Sequence, residues 1–197
     1  MKFLLKIVLF LCPLTVFCQD IEPFKNKIPR ILPDGTVKMA EGKDIKIDGF
    51  QDKETTVFFI IRHAEKDTAG GTNADLNAVG RGRAITFPKI FRKIHLSKIY
   101  STDRPRTKNT ARPIANAKKR PVDIYDAKQQ KELLEKLVKN NKGDKILLVG
   151  HSNTVPQLVN ILRGTDEEKE FSESDYSRIY IVTVKKIGDV QVHLIRF

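Results

Sequence analysis

The sequence predicts an α/β fold: a mostly parallel central sheet with helices on both faces and an antiparallel C-terminal hairpin at the sheet edge. Three observations carry this. Extended apolar runs alternate along the chain with stretches whose apolar residues recur at helical spacing. Two of the extended segments, 57–61 and 145–149, hold apolar runs without a polar interruption, which suits parallel strands covered on both faces better than strands wetted on one. The last two extended segments, 179–184 and 190–197, are joined through Gly188-Asp189 and read as an antiparallel hairpin.

The first 18 residues stand apart from this pattern. Met1-Lys2-Phe3 makes a basic start, and 4–17 is almost entirely apolar, interrupted by Lys6 and Pro13. That run is too short to span a bilayer comfortably and reads as a signal peptide, with cleavage after Cys18. A retained membrane anchor is the alternative; bulky Phe17 argues against a lipid anchor on Cys18. The expectation is an exported protein, periplasmic or secreted, with no stable membrane insertion once the signal is removed. Cys12 and Cys18, the two cysteines of the chain, both lie in this segment. The mature chain would therefore use neither disulfides nor a thiolate, as nucleophile or as metal ligand. Residues 19–55 are polar and carry Pro23, Pro29 and Pro33, and are expected to form an N-terminal arm in which 36–39 and 44–47 pair as a small hairpin. Residues 56–197 are expected to be the domain proper.

Within that domain, 56–61 is the first strand, rich in β-branched and aromatic residues. A loop over 67–75 contains Gly70-Gly71. Asn77 is a good N-cap for the next helix, along which Leu76, Val79, Ala84, Phe87, Phe91 and Ile94 recur as a buried face, with a kink or split at Pro88. Residues 96–101 form the second strand, and the polar run from Thr102 enters a helix ending near Ala117. Residues 121–125 form a short third strand that stops at Asp126. A helix over 128–140 carries Leu133, Leu134, Leu137 and Val138 on one face, and Lys142-Gly143-Asp144 turns into the fourth strand, 145–149. Gly150-His151-Ser152-Asn153 closes that strand, and a helix over 154–162 ends at Gly164. A charged loop, 166–175, leads to the final hairpin.

Ligands of open parallel sheets bind at the carboxyl ends of the strands. Four strand ends here deliver polar residues to that edge: Arg62 with His63, then Arg106, Asp126 and His151. Arginine offers a planar fork of donors and histidine a ring nitrogen that can attack or donate, so the set suits phosphate. His95, in a helix-to-strand turn, and His193, within the last strand, lack this setting and read as structural. The net charge of +12 suits steering of anionic substrates or adhesion to anionic envelope polymers. Nucleic acid is not expected, because the basic residues are scattered and few aromatics are interleaved with them.

Several motifs lie on these elements in a fixed order: Arg62-His63-Ala64-Glu65, then Leu76-Asn77-x-x-Gly80 with Arg83-Ala84, then Tyr100-Ser101-Thr102-Asp103 running to Arg106 and Thr110-Ala111, and finally Gly150-His151-Ser152. Together, over about residues 57–162, they resemble the histidine phosphatase superfamily, the phosphoglycerate-mutase-like proteins. The resemblance implies a small exported phosphoric monoester hydrolase working through a phosphohistidine on His63, independent of metal and of any cofactor. The near ring nitrogen of His63 would donate to a carbonyl, leaving the far one to attack. Arg62, Arg106 and His151 would hold the phosphoryl oxygens, with Glu65 and Ser152 at the substrate. Arg106 is preferred to Arg104 for its spacing to Thr110-Ala111. A carboxyl group after the third strand, Asp126, would protonate the leaving group, with Glu65, close to His63 in sequence, as the alternative. Gly150 would leave room for the pocket. The expected ligand is a small phosphorylated substrate or an anionic glycan. A module that captures phosphate or a phosphorylated envelope glycan without turnover is the alternative reading.

Overall fold

The computed structural model of the protein describes residues 28–196. The expected signal peptide and both cysteines lie outside the described residues. Three short strands come first, β1 (Arg30–Ile31), β2 (Thr36–Lys38) and β3 (Ile45–Lys46), paired antiparallel in that order. The pairing of 36–39 with 44–47 expected from the sequence is present as β2 and β3, and β1 adds a strand that the sequence did not announce. This sheet is no loose arm. Ile31, Val37, Ile47 and Phe50 share a buried cluster with Phe59 and Phe91, and the Phe50 and Phe59 rings meet edge to face with centroids 6.2 Å apart.

The larger sheet has six strands in the order β6-β5-β7-β4-β8-β9. β4 (Thr56–Arg62) lies at its centre and every residue of it is buried. It runs parallel to β7 (Lys145–Gly150) and antiparallel to β8 (Arg178–Lys186). β5 (Lys98–Thr102) and β6 (Asp123–Tyr125) continue the parallel part, and β9 (Asp189–Arg196) closes the far edge as the expected hairpin with β8. Side chains alternate across β4 as a pleated strand requires. Val57, Phe59 and Ile61 pack with Phe87, Ile90 and Ile114 on one face. Phe58 and Ile60 pack with Leu134, Leu137, Leu158 and Leu162 on the other. Helices therefore cover both faces, which explains why β4 and β7 carry uninterrupted apolar runs. Among the described residues, no helix is long and apolar enough to cross a membrane.

One helix expected from the sequence divides. α1 (Ala78–Ala84) and α2 (Phe87–Ile90) are separate, with Pro88 in the first turn of α2 and the Thr86 hydroxyl donating to the Arg83 carbonyl at the break. Leu76, Ala84, Phe87, Phe91 and Ile94 are buried as expected, but Val79 is 46% exposed, because α1 turns Gly80, Arg83 and Ala84 inward instead. The loop before it contains a 3₁₀ stretch, Thr68–Asn73. α3 (Pro105–Lys118), α4 (Gln130–Asn140) and α5 (Thr154–Arg163) follow the sequence closely, and α5 ends on left-handed Gly164. The carboxyl ends of β4, β5 and β7 lie side by side, and the residues discussed next leave the sheet there.

Candidate active site

β4 and β7 set the two histidines. The His63 amide donates to the Gly150 carbonyl at 2.9 Å, so the last residues of the two strands carry their loops off together. The His63 and His151 rings meet at an angle of 67° with centroids 5.4 Å apart. Gly150 lies beneath them, where a Cβ would come within 2.7 Å of Thr154 Oγ1 and 3.1 Å of the Tyr125 hydroxyl. Since Thr154 Oγ1 accepts the His151 amide, a side chain at 150 would displace the loop that carries His151.

Each ring has one nitrogen committed. His63 Nδ1 lies 2.7 Å from the Ala64 carbonyl oxygen, which can only accept, so Nδ1 carries the proton and Nε2 has the lone pair. The Ala64 amide in turn donates to Thr110 Oγ1. His151 is fixed by a longer relay. The Thr107 hydroxyl donates to the backbone carbonyls of Thr102 and Arg104, so its oxygen accepts from Thr102 Oγ1, which leaves the Thr102 oxygen to accept from His151 Nε2 at 2.8 Å. His151 therefore bears its proton on Nε2 and presents the Nδ1 lone pair to the Arg106 guanidinium, 3.5 Å away. Replacing Thr102 by valine removes the acceptor. The two His151 tautomers should then interconvert in nitrogen NMR spectra, and kcat/KM on p-nitrophenyl phosphate should fall about tenfold, the worth of one hydrogen bond. An unchanged tautomer would refute the relay.

Burial first, then the neighbouring His151, Arg62 and Arg106, hold His63 down to a pKa of about 3. Burial, then Arg106, holds His151 down to about 4. Both rings are neutral at neutral pH. In the unfolded chain they protonate near pH 6.5, so the fold suffers no penalty from them above that pH and loses stability as the pH falls from 6.5 toward 4 and 3. The slope is up to about 1.4 kcal/mol per pH unit for each ring. Urea titrations across this range should show a shallower decline for His63→Gln/His151→Gln than for the wild type; parallel declines would contradict the assignment.

Two arginines complete the group. Arg62 is almost fully buried. Its Nη1 donates to the carbonyls of Ser172 (2.8 Å) and Asp175 (3.1 Å), Nη2 lies 3.4 Å from Glu173, and the guanidinium stacks 4.2 Å from the Tyr176 ring. Arg106 Nη1 donates to the Thr72 carbonyl, and burial followed by the nearby Arg104 charge lowers its pKa. Among the described residues, Nε of both Arg62 and Arg106 is buried without a hydrogen-bond partner. Arg104 instead holds Asn73 Oδ1 at 2.8 Å, although it too lines the cavity.

These side chains surround a cavity of about 800 Å³. Of the residues singled out in the sequence, Arg62, His63, Arg106, Asp126, His151 and Ser152 line it. Glu65 does not, and its expected place at the substrate is corrected here. Its carboxylate is gripped by Arg83, with Nε 2.9 and 3.0 Å from the two oxygens and Nη2 at 2.6 Å from Oε1. The cause is local: α1 starts against Glu65, whose carbonyl accepts the Asn77 amide, and Arg83 follows on the inward face of that helix. Asp126 is exposed at the cavity wall, with Oδ1 accepting the Lys128 amide in the turn before α4. Ser152 Oγ donates to Glu170 at 3.2 Å. His95 lies beside Arg120 and His193 is in β9, both outside the cavity.

Sequence reasoning missed Lys66, Thr102, Glu170, Glu173 and Tyr176. Lys66 reaches Glu173 at 3.2 Å, and that hydrogen bond keeps the Glu173 carboxyl below the usual range. Lys66 stands only three residues past His63, but its contact is with a loop a hundred residues on. The charged composition of 166–175 was the one signal for Glu170 and Glu173.

Residues 58–129 match the model of the histidine phosphatase superfamily (branch 1). The match contains His63, Arg106 and Asp126 and stops short of His151, which the fold brings to the same place. No curated protein matches the chain by sequence. Among solved structures, the protein histidine phosphatase SixA complexed with tungstate superposes with a TM-score of 0.60 at 16% identity, over 71% of this chain and 96% of that one. A mycobacterial glucosyl-3-phosphoglycerate phosphatase gives 0.57 at 13% identity, over 73% and 98%. A phosphoserine phosphatase mutant from Entamoeba histolytica in complex with phosphoserine gives 0.58 at 16% identity, over 70% and 94%. At these identities the likeness is one of fold.

Proposed function

From the match of residues 58–129 to the histidine phosphatase superfamily (branch 1) and the geometry of the cavity, we propose that this chain is a member of that superfamily and a phosphatase, a phosphoric monoester hydrolase that forms a phosphohistidine on His63. The observation that carries the reading is the lone pair of His63 Nε2. It is freed by the Ala64 carbonyl, in a ring kept neutral, beside two guanidinium groups each with an unpaired buried nitrogen. The solved structures named above, all of phosphatases, support the same class of activity.

The substrate's phosphoryl group would sit between the histidines, its oxygens held by Arg62 and Arg106, with His151 joining them as a donor once the bound anion brings a proton to its Nδ1. These groups meet the charge that spreads over the oxygens in the transition state. His63 Nε2 attacks phosphorus, the bond to the leaving oxygen breaks, and water later releases phosphate from the ring. Asp126 is the carboxyl proposed to protonate the leaving oxygen, with one of its oxygens already committed to the turn before α4. No step needs a metal ion. We further propose that residues 1–18 direct export and that the substrate is small and phosphorylated.

The test is chemical. The protein is exposed to a labelled phosphodonor, quenched and digested. Label on His63, lost in acid and stable in alkali, is the expected result. Bound phosphate with no covalent label would leave a binding module and overturn the proposal.

A further inference from the structure

A second cationic surface lies away from the cavity. Arg30 on β1, Lys38 on β2, Lys89 on α2, and Arg92 and Lys93 just beyond it surround one depression of about 200 Å³ floored by Ile31 and Leu32. All five are exposed. Lys118 extends the patch, its Nζ donating to the Arg92 carbonyl, and Arg120 extends it further beside His95.

We propose that this face docks on an anionic bilayer surface, with the cavity turned away from the membrane. The first argument is charge. Among the described residues, Lys38 alone of the five has a carboxylate partner, Asp44. Several cations elsewhere are matched, Lys46 with Asp34, Lys108 with Asp103, Lys142 with Glu54, Arg163 with Glu167 and Arg178 with Asp175, whereas these five converge on one depression. No carboxylate lines the depression. Converging like charges repel unless an anion lies against them, and a cluster of this size suits acidic headgroups.

The second argument is the path of the chain. The described residues begin at Ile28, which packs on the same buried cluster as Ile31. The chain that remains before it after cleavage at Cys18 carries Lys25 and Lys27 and joins the domain beside this face. Two further lysines next to a cationic surface suit the same anionic partner.

The third argument is orientation. α3 starts beside the cavity at Arg106 and ends at Lys118, and its 14 residues separate the two regions by about 20 Å. A molecule seated on the patch keeps His63 open to the aqueous side.

The experiment is co-sedimentation of the full chain with vesicles of phosphatidylglycerol and phosphatidylcholine, and with vesicles of phosphatidylcholine alone. The neutral vesicles report what the apolar run over 4–17 contributes. Reversal of three charges in Lys89→Glu/Arg92→Glu/Lys93→Glu is expected to weaken the anionic-vesicle partition by about 100-fold. Lys131→Glu/Lys136→Glu/Lys139→Glu on α4 changes net charge equally, away from the patch, and should weaken it much less. Circular dichroism confirms folding of both variants, and hydrolysis of p-nitrophenyl phosphate should be unchanged in both. Equal losses in the two variants, or no loss in the first, would overturn the docking face. Release of the wild type by millimolar inorganic phosphate at constant ionic strength would also overturn it, as the mark of a site for free anions.

Discussion

Replacing His63 by alanine is expected to lower phosphatase kcat by roughly 10⁴-fold or more while leaving inorganic phosphate bound within a few-fold of its wild-type affinity. The two effects separate because the residues proposed to hold the phosphoryl oxygens are not the one proposed to attack. The unpaired nitrogens of Arg62 and Arg106 stay in the variant, and Arg62 keeps its bonds to the carbonyls of Ser172 and Asp175. Among the described residues, the other imidazole of the cavity is engaged. His151 Nε2 is committed to Thr102, and its Nδ1 lies against Arg106. Steady-state assays on p-nitrophenyl phosphate and calorimetry with phosphate would measure both quantities. A His63→Ala variant that keeps a tenth of wild-type turnover would remove His63 from the chemistry.

Substitution of Gly80 by alanine should cost about 4 kcal/mol or more of folding stability, a large share of what a domain of this size has. A Cβ there would lie 2.1 Å from the Glu65 carbonyl oxygen and 2.8 Å from its amide nitrogen. The obstacle is backbone and cannot rotate away. Nor can Glu65 retreat, since its carbonyl accepts the Asn77 amide and its carboxylate is gripped by Arg83. Moving it would also shift His63, two residues earlier. Gly71 provides the comparison: it has open space around its Cβ direction, but its φ of 58° and ψ of −142° suit only glycine, so Gly71→Ala should cost about 2 kcal/mol through backbone strain alone. Urea denaturation of the two variants decides the matter, and equal costs would show that packing against Glu65 does not govern this position.

The sheet was legible in the sequence because burial on both faces leaves a mark that needs no partner to read. β4 and β7 are unbroken apolar runs, and each turns polar within a residue of its end, at His63 and at His151. The edge hairpin declared itself through Gly188-Asp189 between two extended segments. β1 did not, because two residues carry no period, and its pairing with β2 depends on how the chain before β4 folds back. Val79 sits on the helical spacing of Leu76 and Phe87 yet faces water, because the break at Thr86 separates α1 from α2 and frees each to choose its own inward side. The site was half legible for a related reason. Residues at strand ends are placed by the sheet and can be read along the chain. Glu65 was misplaced because its partner, Arg83, arrives through a helix packing that only Gly80 hinted at. Lys66, Glu173 and Tyr176 meet through loops, and no periodicity relates them.

The grip on Arg62 has a consequence for when activity can arise. The carbonyls that hold its guanidinium belong to Ser172 and Asp175, which the ribosome adds 110 and 113 residues later. A nascent chain that has just completed His151 already owns every side chain proposed for phosphate, but its first arginine hangs loose. If the proposed export carries the chain across unfolded, competence would be acquired only on the far side of the membrane. The phosphorylated metabolites of the compartment where it is made would never meet a working enzyme.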